Sequence, residues 1–205
     1  MTEPSKRDQR KARNREAIKE AALELARDEG WSAVSIRKIA DKILYTAPVV
    51  YEHFKNKDDL YRHLVQDGFD ALTHSTFAAM EEVEGPEAKI LAMAKVRFAF
   101  AERHATLHHL MFDADNPSWQ RLELIKSMAT LKDHLKDLLT ELTGQPERST
   151  EYFMNLVCLV KGYTFFNMRL CHVKSIEDHF LSEVPMEDLF LNAIKRFLAS
   201  ITADL

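Results

Sequence analysis

Residues 35–60 read SIRKIADKILYTAPVVYEHFKNKDDL, and the centre of the stretch, TAPVVYEHF (46–54), decides the fold. It reads as a helix of about nine residues, too short to persist alone in water. Thr46 stands at the cap, and Pro48 falls in the first turn, where N–H groups have no intrahelical partner. Ahead of it, Ser35 can cap another short helix with Ile36, Ile39, Ala40 and Ile43 facing inward, ending at a break near Leu44-Tyr45. Two short helices joined by a tight turn form a helix-turn-helix, whose second helix lies in a DNA major groove. Val50 and Phe54, at i and i+4, are the expected anchors into a three-helix core. The opposite face carries Ala47, Val49, Tyr51 and His53, where small groups can touch thymine methyls and polar tips can reach base edges or phosphates. The Thr46 end offers free backbone N–H groups to a phosphate. Ser35, Arg37, Lys38, Lys55 and Lys57 are expected to flank the groove as phosphate contacts, which position a protein without reading sequence.

The surroundings agree. A helix is expected from about Arg7 to Glu29, with Ile18, Ala21, Ala22, Leu25 and Ala26 at helical spacing and Gly30 as a stop signal. Its leading residues, Lys6, Arg7, Arg10, Lys11, Arg13 and Arg15, form a basic arm (1–15) expected to be frayed. Arg13 is its expected DNA contact. Beyond the short helix, Asn56 caps a further one, with Asp58 and Asp59 in the first turn, running to about Met80.

Here the chain resembles the TetR-type bacterial transcriptional regulators. The residues that carry the resemblance are REAIKEAALELARDEGWSAVSIRKIADK (15–42) and YEHFKNKDDLY (51–61), within roughly residues 13–62. The resemblance implies phosphate contacts from Tyr51 and Lys57. Two positions depart from the usual pattern. Leu44 stands where a turn glycine is common, and TAPV replaces the usual opening of the recognition helix. A leucine does not enter the left-handed region cheaply, so the turn is expected to be helical or shifted by one residue. Val49 removes a possible hydroxyl contact.

Composition bounds the rest. The 205 residues hold only 5 Gly and 6 Pro, which favours helices. The expected architecture is all-α: a three-helix helix-turn-helix domain (1–56) and a larger helical bundle (57–205), about nine helices in all. Net charge is −4, but residues 1–63 carry 14 Lys/Arg against 11 Asp/Glu, and the remainder 14 against 21. A basic head on an acidic body suits presentation of one end to a polyanion. The first twenty residues lack the apolar segment of a secretory leader. No run approaches the roughly 18 apolar residues of a membrane span. Two cysteines, Cys158 and Cys171, would lie about 20 Å apart on one helix. A cytoplasmic setting is expected.

Further helices are expected near 87–103, 105–112, 118–143, 149–173 and 186–203. The segment 152–170, YFMNLVCLVKGYTFFNMRL, is apolar on more than one face. Paired recognition helices require a two-fold homodimer on a two-fold operator. Its interface is expected at Phe153, Leu156, Val157, Val160, Phe190, Ile194 and Phe197, in a four-helix bundle. The resemblance also implies a small-molecule pocket in the body. Candidate lining residues are Phe98, Phe100, His104, His108, Met111, Phe112, Trp119, Met128, Tyr152, Tyr163 and Phe166. No cofactor or metal is expected, since RHATLHH (103–109) is expected to span a helix break and matches no zinc pattern. The expected function is a DNA-binding regulator, a repressor released by a small apolar or amphipathic ligand. Two alternatives come from other classes. One is an all-helical metal-dependent enzyme using His104 and His108 with Asp113 or Asp115. The other is a dimeric adaptor that no longer binds DNA.

Overall fold

A computed structural model describes residues 5–112, 122–170 and 184–203, with 122–128, 169 and 170 described by backbone alone. Among the described residues the chain is all-α. Helices α1 (Lys6–Glu29), α2 (Ile36–Lys42), α3 (Ala47–Tyr51) and α4 (Lys57–Glu81) are followed by α5 (Pro86–Arg103), α6 (Ala105–Phe112), α7 (Leu122–Thr143), α8 (Ser149–Leu170) and α9 (Met186–Thr202). Short 3-10 turns occupy Trp31–Ala33 and Pro146–Arg148. The helices form two compact units, Met1–Gly68 with His109–Asn116, and Phe69–His108 with Pro117–Leu205. Helix α4 starts at Lys57, and the first unit runs on through its opening turns to Gly68, beyond the expected division at 56/57.

The first unit is held by the apolar stripe of α1. Ile18, Ala21, Ala22 and Ala26 are buried with Val34, Ile36, Ile39, Ala40, Val50, Phe54, Leu60, Leu64 and Val65. Alanines on α1 let α2 approach closely. A side chain the size of Phe54, removed from water, contributes roughly 1.5–3 kcal/mol, which is how a five-residue helix such as α3 is kept in place. Asn56 acts as the expected cap: its Oδ1 accepts from the Asp59 amide at 2.8 Å, and Asp59 Oδ2 accepts from the Lys55 amide at 3.0 Å. Trp31 and Tyr61 pack with ring centroids 5.1 Å apart, and the Tyr61 hydroxyl donates to the Leu110 carbonyl at 2.8 Å.

In the second unit, α5 packs against α7, α8 and α9, and α8 packs against α7 and α9. Its core runs through Met80, Ile90, Met93, Ala94, Phe98, Leu135, Leu139, Tyr152, Leu156, Val160, Phe190, Ile194 and Leu198. Phe98 and Phe190 stack at 5.0 Å. No helix among the described residues is long and apolar enough to cross a membrane.

Candidate nucleic-acid interface

The turn between α2 and α3 is built by backbone hydrogen bonds. Ser35 Oγ accepts from the Lys38 amide at 3.2 Å and opens α2. At the other end, the Leu44 amide donates to Asp41 O at 3.3 Å and the Tyr45 amide to Ala40 O at 2.8 Å. This pair of bonds is a Schellman closure, whose left-handed position is normally glycine. Leu44 occupies it with φ 56°. The expectation of a helical or shifted turn is therefore corrected: the two closing bonds, together with the packed helices on either side, hold leucine in the left-handed region. Its side chain is 91% exposed, so nothing in the protein's own interior repays that conformation.

The recognition segment is shorter than its sequence suggests. Ala47–Tyr51 is helical, and Glu52 and His53 continue it as a turn. Thr46 has the extended backbone of a cap, φ −95° and ψ 151°, but its hydroxyl makes no capping bond. The side-chain cap expected there is thus absent; Pro48 fixes the first turn instead, and the hydroxyl remains available to a ligand. Val50 and Phe54 are buried as expected. Ala47 and Val49 are half-buried, and Tyr51 stands 54% exposed.

His53 is placed differently from Tyr51. It lines a hollow of about 350 Å³ with Asp8, Lys11, Ala12 and Arg15 of α1 and with Glu52. Its Nδ1 is buried without a hydrogen-bond partner. Burial, and then the charge of Lys11, holds the imidazole below its ordinary pKa. Arg15 explains the docking: Nη1 donates to His53 O at 3.2 Å, and the guanidinium lies 4.5 Å over the Phe54 ring. Tyr45 ties the turn to the same helix, its hydroxyl donating to Asn14 Oδ1 at 3.0 Å. The sequence reading gave Asn14 and Tyr45 no role. Tyr45 was legible only as an aromatic at a break.

The flanking cations divide into two groups. Arg13, Arg37 and Lys55 are exposed and make no ion pair among the described residues. Lys57 is half-buried: Nζ donates to Trp31 O at 2.6 Å and Ser32 O at 3.1 Å, 5.3 Å from the Trp31 ring centroid. Burial holds its pKa below the ordinary lysine value. Lys38 is committed to Glu29 at 2.6 Å. The basic arm, expected to fray, is helical from Lys6, capped by Ser5 Oγ accepting from the Asp8 amide at 3.2 Å. Cations in the first turns oppose the helix dipole. An anionic partner alongside would offset that cost.

The residues expected in the body are not gathered into one site. Phe98 and Tyr152 are core, Phe100 is buried, and Tyr163 packs partly buried against the core. The Tyr152 hydroxyl donates to Gln145 Oε1 at 2.9 Å. Met111 is buried in the first unit with half-buried Phe112, and Phe166 is 44% exposed. Trp119, Met128, Asp113, Asp115 and Cys171 fall outside the described residues or side chains. His104 ends α5 as its cap, 4.8 Å from Phe100, and His108 is half-buried on α6. Among the described residues no three His, Cys, Asp or Glu side chains stand close enough to share a metal. A surface hollow of about 500 Å³, lined by Glu84, Gly85, Pro86, Glu87, Ala88, Leu91 and Leu142, uses none of the expected lining residues.

Of the expected dimer face, four residues have no free surface in the single chain, while Phe153, Val157 and Phe197 keep part of theirs. Leu156, Val160, Phe190 and Ile194 are buried inside a single chain, and Phe153 and Phe197 pack against that core. Val157 is half-buried. A side chain with no free surface has none to offer a second subunit. The face of α8 left uncovered carries Met154 (51% exposed), Cys158, Phe165 (63%) and Phe166.

Residues 18–64 match the family described as bacterial regulatory proteins, tetR family. The HTH-type transcriptional activator FasR of Mycolicibacterium smegmatis is 27% identical over 126 residues, which cover 60% of this chain and 58% of FasR. The match thus spans little more than half the length of that relative. A TetR-family transcriptional regulator from Bordetella parapertussis shares the fold with a TM-score of 0.68 at 19% identity, covering 90% of this chain and 93% of that one. The fatty acid degradation regulator FadR from Bacillus halodurans does so with a TM-score of 0.63 at 18% identity, covering 93% and 95%. The family and these neighbours are regulators, not enzymes. The helix-turn-helix, its exposed α3 face and the matched residues lead to one assignment: residues 18–64 form a DNA-binding domain of the kind found in the bacterial regulatory proteins of the tetR family.

Proposed function

We propose that two copies of this chain grip a two-fold operator through the turn and α3 of each, as a repressor that a small amphipathic ligand in the second unit releases. One observation carries the reading. Tyr51 and the uncommitted Thr46 hydroxyl stand on an exposed segment flanked by Arg13, Arg37 and Lys55, cations without an ion pair among the described residues. Such cations are arranged for phosphates. Ala47 and Val49 offer small apolar contact to thymine methyls, and Tyr51 offers a hydroxyl.

Dimerisation is assigned to the uncovered α8 face. Met154, Phe165 and Phe166 are large apolar groups on one side of one helix, and contiguous exposed apolar surface of this kind marks an interface. FadR, named as a regulator of fatty acid degradation, shares this chain's fold.

FasR is described as an activator, which favours a second reading in which the DNA-bound dimer raises transcription. A reporter fused to the region upstream of this chain's own coding sequence separates the two. Deleting the chain raises expression if it represses and lowers it if it activates. Unchanged expression, together with no retardation of that DNA in a gel, contradicts both.

A further inference from the structure

Asn14 and Arg15 are consecutive on α1, and they hold opposite ends of the recognition segment. The Tyr45 hydroxyl donates to Asn14 Oδ1 at 3.0 Å, one residue ahead of the Thr46 cap. Arg15 Nη1 donates to the His53 carbonyl at 3.2 Å, beyond the end of α3 at Tyr51, and its guanidinium lies 4.5 Å over the Phe54 ring. The last carbonyls of a helix lack intrahelical partners, and an arginine is well suited to meet one. Ala47, Val49 and Tyr51 all fall between the two ties.

The ties supply what the apolar core cannot. Val50 and Phe54 are buried, and at i and i+4 they lie one turn apart on one side of the segment. Apolar burial is non-directional, so two anchors in a line set the depth of the segment and leave its roll about that line weakly fixed. Hydrogen bonds are directional and weaken steeply when bent. Two of them, running from opposite ends of the segment to one helix, fix its roll and tilt against α1. Tyr45 is 39% exposed and Arg15 half-buried, and hydrogen bonds in such settings add little net stability. Pose is more demanding than stability. Groups that read a partner must be held within roughly 0.5 Å of the productive geometry, whereas a phosphate contact from a long flexible lysine such as Lys55 tolerates a small roll.

We propose that Asn14 and Arg15 are positioning residues for sequence recognition, clamping α3 from both ends and setting the orientation in which Ala47, Val49 and Tyr51 meet base edges. Arg15 thereby parts from the rest of the basic arm. Arg13 is exposed, whereas the Arg15 guanidinium is turned to the protein's own backbone and the Phe54 ring. The inference rests on the reading of α3 as the segment that enters the groove, and adds what fixes its pose there.

The test uses the full chain, a duplex that the wild type selects from a randomised pool, and an unrelated duplex of equal length. Affinity for both is measured by fluorescence anisotropy at several salt concentrations, for wild type, Arg15→Met and Tyr45→Phe, the last of which removes a single hydroxyl. Both variants are expected to bind the selected duplex more weakly by about fivefold or more, and the unrelated duplex within about twofold of wild type. Both are expected to keep the wild-type salt slope, because no phosphate contact is lost. A slope lowered by about one in Arg15→Met would make Arg15 a phosphate contact and overturn the clamp. Equal losses on the two duplexes would show a role in the fold alone and overturn it too. Selective binding that is lost in Tyr51→Ala but kept in both variants overturns the clamp and leaves the groove reading standing. A chain that selects no sequence, or whose selectivity survives Tyr51→Ala, overturns both.

Discussion

The Tyr45 amide donates to the Ala40 carbonyl at 2.8 Å, closing α2 across a left-handed Leu44. A non-glycine residue in that region costs roughly 1–2 kcal/mol, and the exposed Leu44 side chain recovers little of it by burial. Leu44→Gly is therefore expected to stabilise the chain by about 1 kcal/mol in urea unfolding, after allowance for the extra backbone entropy of glycine. A loss of stability would show that the leucine makes contacts worth more than the strain.

Lys57 and Lys55 are separated by two positions and by their surroundings. Lys57 holds the carbonyls of Trp31 and Ser32, and Lys55 holds none through its side chain. Lys57→Met should cost about 1–2 kcal/mol of stability, in keeping with charged hydrogen bonds to backbone, and should also weaken DNA binding. Lys55→Met should leave stability within about 0.5 kcal/mol. It should weaken binding to all sequences alike and lower the salt slope by about one. Equal stability losses in the two variants would contradict the division.

On α8, Phe165→Glu and Phe166→Glu place a charge on the uncovered face. Both are expected to yield folded monomers by light scattering and to lose tight binding to a two-fold site. The corresponding change at Leu156 or Ile194, both buried within one chain, should unfold the second unit. Folded dimers in the Phe165 variant would contradict the interface.

Stability should fall in mild acid. Burial, aided by Lys11 at His53 and by Arg15 at His63, holds both imidazoles below their ordinary pKa. As pH drops below about 6.5, the unfolded chain takes up protons before the folded one. Stability is thus intact above that value and declines as pH falls through the lower folded values. His53→Gln with His63→Gln should flatten the decline between pH 7 and 5. Asp59, lowered chiefly by the Lys55 amide, acts later: its contribution is present above the ordinary aspartate range and lost as pH falls through its lower folded value. A pH profile unchanged by the histidine pair would contradict the assignment.

Much of this was legible in the sequence because local chemistry set it. Ser35 and Asn56 cap as their residue types require, and Val50 and Phe54 are buried as their spacing requires. Other features depended on packing that no periodicity reveals. Leu44 adopts the glycine conformation because backbone bonds from Leu44 and Tyr45 hold it there. Thr46 caps by backbone shape alone. The segment 152–170 is apolar on several faces, and spacing could not say which face the chain's own α5, α7 and α9 would cover.

The most direct test of the central claim is hydroxyl-radical footprinting of the full chain on duplex DNA from upstream of its own coding sequence, at several salt concentrations. The account predicts two protected patches on one face of the duplex, spaced by whole helical turns, weakening steeply with salt and lost in Tyr51→Ala. Uniform accessibility of that DNA at low salt, or a footprint untouched by Tyr51→Ala, would contradict it.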